Sequence, residues 1–213
     1  MEIKFYGQAC FSITEAGATV ITDPFQPEIG LKLPKLKADA ITVSHDAPAH
    51  NNVEAIEGDA KLFSWPGEYE TKNIHFKLIH SFHNQKEDAE QLENNVTVIH
   101  WGGISLCHLG AQGTKLTPEQ LEQVGEVDIL FVPVGGKGSL EPKKAKELIE
   151  QIEPRIIIPM CYNTEGSKLG LGELDAFLSV MGTKIEEPLE SLKVKRSEFP
   201  EDNSKLVILK VAA

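Results

Sequence analysis

The stretch Ser44-His45-Asp46-Ala47-Pro48-Ala49-His50 directly follows the apolar run Ala40-Ile41-Thr42-Val43. A short apolar run that ends in a polar, proline-containing segment predicts a buried strand followed by a turn. His45 then lies at the carboxyl end of the strand, and His50 lies at the far end of the turn. Imidazoles placed in this way are typical of metal sites, but also of solvated surface loops. The turn alone does not decide between these two interpretations.

The composition narrows the class of protein. Of 213 residues, 41% are hydrophobic, which is enough to build a substantial core. The chain has 21 Lys and Arg against 32 Asp and Glu, a formal net charge of −11 that disfavours nucleic acid and anionic membrane surfaces as partners. No apolar run approaches the roughly 18 residues that span a bilayer, and no leader pattern precedes the first strand pattern, so we expect a cytoplasmic protein. Cys10, Cys107 and Cys161 lack CxxC spacing, which argues against a disulfide framework.

The first half of the chain reads as strands joined by turns. Residues 2–25 contain two strand patterns, and Val96–Trp101 with the turn Gly102-Gly103 and the run Ile104–Leu109 predicts a hairpin. A further strand is expected over Ile74–Ile79. The polar stretch from His80 to Asn94 predicts a loop.

The second half alternates strands with helices. Thr117-Pro118-Glu119-Gln120 carries the signature of a capping box, so a helix is expected to begin there. Apolar strands are predicted over Val127–Val134, Arg155–Met160 and Leu206–Val211, with an amphipathic helix at Pro142–Ile152. This succession predicts an α/β protein in which two sheets pack face to face with helices outside. No linker interrupts the pattern, so we expect a single domain over residues 1–213.

Several short segments, in order along nearly the whole chain, resemble one known family. They are Gly7-Gln8-Ala9-Cys10-Phe11, Ile21-Thr22-Asp23-Pro24-Phe25, Pro66-Gly67-Glu68-Tyr69-Glu70, Phe82-His83-Asn84, His108-Leu109-Gly110-Ala111, Pro133-Val134-Gly135-Gly136 and Ile158-Pro159-Met160-Cys161-Tyr162. The chain resembles the metallo-β-lactamase fold, in the branch of cytoplasmic hydrolases that includes the ascorbate-phosphate lactonase-like proteins. The resemblance implies a four-layer αββα sandwich of two mixed β-sheets flanked by helices.

The same resemblance implies a degenerate metal site. The family's turn His-x-His-x-Asp-His corresponds here to His45, Ala47, Ala49 and His50. His83 matches the family's third zinc histidine, whereas Ala111 stands at the bridging aspartate and Cys161 at the final histidine. The residues that remain as metal ligands are therefore His45, His50, His83 and Cys161. Because a zinc site needs about three protein ligands, neither of the two metals keeps a conventional set.

Three functional hypotheses follow. The first is a protein that keeps the hydrolase scaffold, has lost the dinuclear zinc centre, and binds a small molecule or a protein partner. The second is an active mononuclear metal hydrolase of a lactone, ester or phosphodiester, with a single zinc held by some of His45, His50, His83, Cys161 and Asp46. The third is metal-free covalent catalysis by Cys161 beside a histidine. Assembly into a homo-oligomer is compatible with all three, and the sequence does not select a substrate.

Overall fold

The computed structural model of the chain describes residues 1–83, 92–182, 187–200 and 204–212. Its first sheet has six strands in the order β14-β1-β2-β3-β5-β7. They are β1 (Glu2–Gly7), β2 (Cys10–Glu15), β3 (Ala18–Thr22), β5 (Ala40–Thr42), β7 (Lys61–Phe63) and β14 (Leu192–Lys193). The strands β1, β2 and β3 form an antiparallel meander, and β5 and β7 then continue from β3 in parallel. The first sheet is therefore mixed.

The second sheet has seven strands in the order β15-β13-β12-β11-β10-β9-β8. They are β8 (Gly67–Thr71), β9 (Ile74–Phe82), β10 (Glu93–Trp101), β11 (Ile104–His108), β12 (Ile129–Pro133), β13 (Ile156–Met160) and β15 (Lys205–Leu206). Pairing is antiparallel from β8 to β11 and parallel from β11 to β15. A small parallel pair, β4 (Leu36–Lys37) and β6 (Ile56–Glu57), lies outside both sheets.

The described helices are α1 (Pro118–Val124), α2 (Pro142–Ile152) and α3 (Leu174–Met181), with 3₁₀ turns at Pro27–Ile29, Val53–Ala55 and Arg196–Glu198. The predicted capping box is confirmed, because the Thr117 hydroxyl accepts from the Gln120 amide and the Gln120 side chain accepts from the Thr117 amide. Helix α2 connects the parallel strands β12 and β13 and buries Ala145, Leu148 and Ile149. The predicted strand–helix alternation is thus observed.

The core lies between the two sheets. Phe11 of β2 stacks on Phe5 of β1 at 4.8 Å between ring centroids and contacts Phe131 of β12 at 4.6 Å. A second apolar cluster, which includes Ile21, Phe25 and Ile41, packs on the other face of the first sheet against the segments around the first two 3₁₀ turns. The predicted α/β sandwich of two mixed sheets is confirmed, and the outer cover of the first sheet consists of loops and 3₁₀ turns.

Residues 2–25 form three strands, β1, β2 and β3, where two were predicted. Two predicted boundaries are also wrong. The predicted loop from His80 to Asn94 is shorter, because β9 continues to Phe82 and β10 begins at Glu93; its residues 84–91 lie outside the described part. The predicted strand Leu206–Val211 ends at Leu206, since the chain then crosses to the first sheet, where the Ala212 amide donates to the carbonyl of Phe5. Pairing of Phe82 with Glu93 within the second sheet sets the first boundary, and the contact with the first sheet sets the second.

Candidate functional site

The carboxyl ends of strands from both sheets meet at one edge of the sandwich. Asp23 follows β3 and Ser44 lies shortly after β5, while His83 follows β9 and Cys161 follows β13. A cavity of about 480 Å³ opens there, and its lining includes all four proposed metal ligands, His45, His50, His83 and Cys161. The structure thus gathers these four residues around one space.

Asp23 holds the turn after β5 in place. Its Oδ1 accepts the Ser44 amide at 2.7 Å, and its Oδ2 accepts the Ser44 hydroxyl at 2.7 Å and the Nδ1–H of His50 at 2.8 Å. The backbone of Asp23 has φ 39, a conformation that is uncommon for a residue with a side chain. Burial raises the pKa of Asp23, but the attraction of His50 and the hydrogen bonds from His50 and Ser44 outweigh it, so the pKa lies below its usual value. Asp23 is therefore a buried carboxylate anchor.

The hydrogen bonds fix the tautomers of two histidines. Because the Ser44 hydroxyl donates to Asp23, it accepts from Nδ1–H of His45 at 3.1 Å, which leaves Nε2 of His45 as an acceptor. His50 donates through Nδ1, and its Nε2 lies 3.3 Å from the amide nitrogen of Gln8, which donates to it. Both ring nitrogens of His50 thus have protein partners. Burial lowers the pKa of His45 to about 3.

His83 lies against His45 and is enclosed by backbone. The ring centroids of His45 and His83 are 5.3 Å apart, and those of His45 and His50 are 4.3 Å apart. A Cβ at Gly138 would lie 2.8 Å from Cε1 of His83, and one at Gly113 would lie 1.5 Å from its carbonyl oxygen. Glycine at these positions therefore permits the close packing. Burial lowers the pKa of His83, and its buried Nδ1 has no hydrogen-bond partner among the described residues.

Cys161 has a structural anchor and a protonated thiol. Its backbone amide donates to the carbonyl of Gln8 at 2.8 Å, and its φ of 52 is left-handed. Burial, reinforced by the negative charge of Asp23, raises the pKa of the Cys161 thiol well above its ordinary value. A buried thiol of this kind is a poor nucleophile, so the arrangement does not favour covalent catalysis at Cys161.

The comparisons with known proteins agree with this architecture. Residues 2–161 match the family model described as a beta-lactamase superfamily domain. The chain belongs to the beta-lactamase superfamily. Among its relatives in the superfamily, a Carboxydothermus hydrogenoformans protein named UPF0173 metal-dependent hydrolase is 28% identical over 193 residues, which cover 77% of this chain and 85% of that protein.

Solved structures agree as well. A Thermotoga maritima crystal structure, assigned provisionally to the zinc-dependent hydrolases of the metallo-β-lactamase superfamily, is 35% identical, with a TM-score of 0.80 over 98% of this chain and 97% of that one. A Parabacteroides distasonis structure, assigned provisionally as a metal-dependent hydrolase, is 16% identical with a TM-score of 0.64 over 98% of this chain and 93% of that one, and it supports the fold alone. No described helix is long and apolar enough to cross a membrane.

The metals that resemblance to the superfamily implies do not fit the side chains present. Ala47, Ala49 and Ala111, which the sequence resemblance aligns with three family ligands, line the cavity. Within residues 1–83, 92–182, 187–200 and 204–212, no three His, Cys, Asp or Glu side chains form a group that could hold a metal ion. Asp46, considered above as a replacement ligand, is exposed, accepts from the side chain of Asn51 at 2.9 Å and does not line the cavity.

The buried side-chain amides of Asn94 and Asn95, which lie behind the turn, were not predicted from the sequence. Asn94 of β10 donates to the Ser81 hydroxyl at 2.8 Å and to the carbonyl of Leu109 at 3.0 Å, and its Oδ1 accepts the Ala111 amide at 2.9 Å. The neighbouring Asn95 side chain donates to the carbonyl of Ser44 at 3.1 Å. A usable signal exists, since consecutive polar residues at the start of an apolar strand pattern often satisfy buried backbone groups.

Lys137 and Lys168, which also line the cavity, were missed as well. They come from loops that are distant in sequence, so no local pattern indicates that they meet. His108, quoted above in a family motif, is buried, and its Nε2–H donates to the carbonyl of Ala9 at 2.9 Å. Its role in the described structure is to join the two sheets behind the site.

Proposed function

We propose that this superfamily member binds a small molecule in the 480 Å³ cavity and does not catalyse hydrolysis at a dinuclear metal centre. The observation that carries the proposal is the methyl lining at Ala47, Ala49 and Ala111, where the family places ligands. Its relatives are named metal-dependent hydrolases, so the proposal concerns a change within a hydrolase lineage.

The chemistry of the retained residues supports the absence of two-metal catalysis. A catalytic zinc needs about three protein ligands, and the bound water needs a partner that accepts its proton. Alanine at position 49 provides neither a ligand nor a proton acceptor. The Nε2 atom of His50, which would have to face a metal, instead accepts a hydrogen bond from Gln8. The alanine at position 49 and the hydrogen bond from Gln8 to His50 each remove a separate requirement of the mechanism.

The preserved framework supports a binding role. The cavity falls within the roughly 300–1,000 Å³ range of small-molecule sites, and Asp23, Ser44 and Asn95 hold the turn that forms one wall. Burying a carboxylate and several amides in this way is costly unless each is hydrogen-bonded. A framework that remains fully bonded keeps the cavity open and shaped, which suits a ligand-binding pocket.

A mononuclear metal hydrolase is the second candidate, and one observation favours it. Nδ1–H of His45 is held by Ser44, which leaves Nε2 free, as in imidazoles that bind metals. Under this hypothesis His45, His50, His83 and Cys161 would have to supply three donors to one ion. That arrangement requires His50 to release Gln8 and the Cys161 thiol to lose its proton.

Hydrolysis assays distinguish the two candidates. Purified protein is incubated with zinc or manganese and p-nitrophenyl esters, lactones and bis-p-nitrophenyl phosphate. We expect rates equal to those of His45→Ala and of a control, Asp46→Ala, whose side chain lies outside the cavity lining. Metal-dependent turnover that disappears in His45→Ala and persists in Asp46→Ala would refute the proposal and support the mononuclear hydrolase.

A further inference from the structure

The two lysines of the cavity lining lie on loops that follow strands of the second sheet. Lys137 follows β12 and Lys168 follows β13, and the loop that carries Lys168 is fixed by its amide, which donates to the carbonyl of Ile29 at 2.8 Å. Lys137 Nζ donates to the carbonyl of Leu169, the neighbour of Lys168, at 3.4 Å. Both lysines therefore line the cavity, and the Lys137 ammonium group lies at the residue that follows Lys168.

The backbone at Lys137 has an unusual conformation. Lys137 has φ 53 and lies between Gly136 with φ 67 and Gly138 with φ 102, so three successive residues are left-handed. A lysine in this conformation costs about 1 kcal/mol relative to glycine. A Cβ at Gly170 would lie 2.6 Å from Lys137 Nζ, so the absence of a side chain there leaves room for the ammonium group. The loop thus combines a strained backbone at Lys137 with a glycine next to its ammonium group.

Neither lysine forms an ion pair with a carboxylate of the described residues. Several lysines in the described part of the chain form ion pairs, among them Lys35, Lys72, Lys77, Lys115, Lys146 and Lys210. With the described residues Lys137 and Lys168 form no ion pair, and Glu28, the carboxylate among the described lining residues, is not paired with either. In a chain of net charge −11, this is a local positive region.

The rest of the lining is largely apolar. Ala47, Ala49 and Ala111 form the floor beside the histidines, and Leu169 and Leu171 form part of the wall next to the lysines. The buried Nδ1 of His83 has no partner among the described residues and is a further polar group that a ligand could satisfy. The cavity therefore combines a cationic side with an apolar interior.

We propose that the cavity binds a small amphipathic organic anion, with its carboxylate or phosphate group between Lys137 and Lys168 and its apolar body on the alanine floor. This inference rests on the proposed function, which it makes specific. The charge complements the lysines, and the body buries apolar surface that a bare inorganic anion could not cover. Lysine is suited to either head group, because it acts as a point charge with three donors.

Calorimetric titration with matched probes tests the inference. Hexanoate and hexyl phosphate carry the two candidate head groups, 1-hexanol carries the same body without charge, and acetate carries the charge without the body. We expect hexanoate or hexyl phosphate to bind at least about tenfold more tightly than 1-hexanol and acetate, and the tighter of the two identifies the head group. Equal affinity for charged and neutral probes, or no binding of any probe, would overturn the inference.

Variants and salt provide the control. In Lys137→Gln/Lys168→Gln the preference for the charged probes over 1-hexanol should fall about tenfold, whereas Lys143→Gln, an exposed lysine outside the lining, should retain it. Raising salt from about 0.05 to 0.5 M should weaken hexanoate and leave 1-hexanol unchanged. Stoichiometric metal in the purified protein would refute the proposed function itself, while metal-free protein that binds 1-hexanol as tightly as hexanoate would refute this inference alone.

Discussion

Replacing Asp23 by asparagine removes the charge that anchors the turn after β5 while keeping the size of the side chain. Oδ2 of Asp23 accepts from the Ser44 hydroxyl and from Nδ1–H of His50, and the side chain is almost completely buried. In Asp23→Asn the amide Oδ1 can still accept the Ser44 amide. Its NH₂ group, however, faces two donors, so one or both of these hydrogen bonds is lost.

The expected cost follows from these contacts. A hydrogen bond to a charged group contributes about 1.5–3 kcal/mol, and the rearrangement of the Ser44 hydroxyl recovers part of the loss. We therefore expect the free energy of unfolding to fall by about 3 kcal/mol. In urea this corresponds to a midpoint lowered by about 1 M at unchanged slope.

Urea unfolding followed by circular dichroism measures this change. The control is Asp59→Asn, an exposed carboxylate, which should alter the free energy of unfolding by less than about 0.5 kcal/mol. A loss in Asp23→Asn below about 1 kcal/mol, or no larger than that of the control, would show that Asp23 does not anchor the site.

The pH dependence provides a sign to check. The folded pKa of Asp23 lies below its unfolded value of about 3.9, so its stabilisation is present above that pH and is lost as the pH falls through the folded pKa. The difference between wild type and Asp23→Asn should therefore shrink as the pH drops below about 4. A difference that grows in acid would contradict the assignment.

Three further predictions concern the walls of the site. Gly113→Ala would place a Cβ 1.5 Å from the carbonyl oxygen of His83, so we expect the free energy of unfolding in urea to fall by about 3 kcal/mol. In the control Gly17→Ala the new Cβ meets no neighbour within 4 Å, and we expect a fall of about 1 kcal/mol. Equal losses would contradict this packing. Cys161 should react with Ellman's reagent in native protein as slowly as the other buried cysteines, and a fast-reacting thiol that disappears in Cys161→Ser would contradict its burial and raised pKa. A third variant restores the family's ligand types with the four substitutions Ala47→His, Ala49→Asp, Ala111→Asp and Cys161→His. Zinc titration should detect binding to this variant. Failure to bind more zinc than wild type would show that the four positions do not converge.

The order of strands and helices could be predicted because each element carries its own signal. Strand alternation, the Gly102-Gly103 hairpin turn and the capping box at Thr117 depend on neighbours in sequence, and the structure confirms the hairpin and the cap. Strand ends depend on partners elsewhere. Asn94 belongs to β10 because Ser81, Leu109 and Ala111 satisfy its side chain, and none of these is visible to local hydropathy.

The candidate site likewise contains residues that local motifs predict and residues that only tertiary contacts bring together. His45, His50, His83 and Cys161 could be named from ordered motifs, and the structure places all four around one cavity. Whether they hold a metal stays a prediction. The lysines could not be named, because Lys137 and Lys168 are distant in sequence and reach the same cavity only through the tertiary fold. The hydrogen bond from Gln8 to His50 could not be predicted either, because it requires the end of β1 to face the turn after β5.

The metal content of the purified chain tests the central claim most directly. Protein produced in zinc-supplemented medium, desalted and analysed by inductively coupled plasma mass spectrometry, should contain well under one equivalent of zinc, manganese, iron or nickel per chain, and His45→Ala should give the same values. One or two equivalents per chain that survive desalting and disappear in His45→Ala would contradict the claim that the metal centre has been lost.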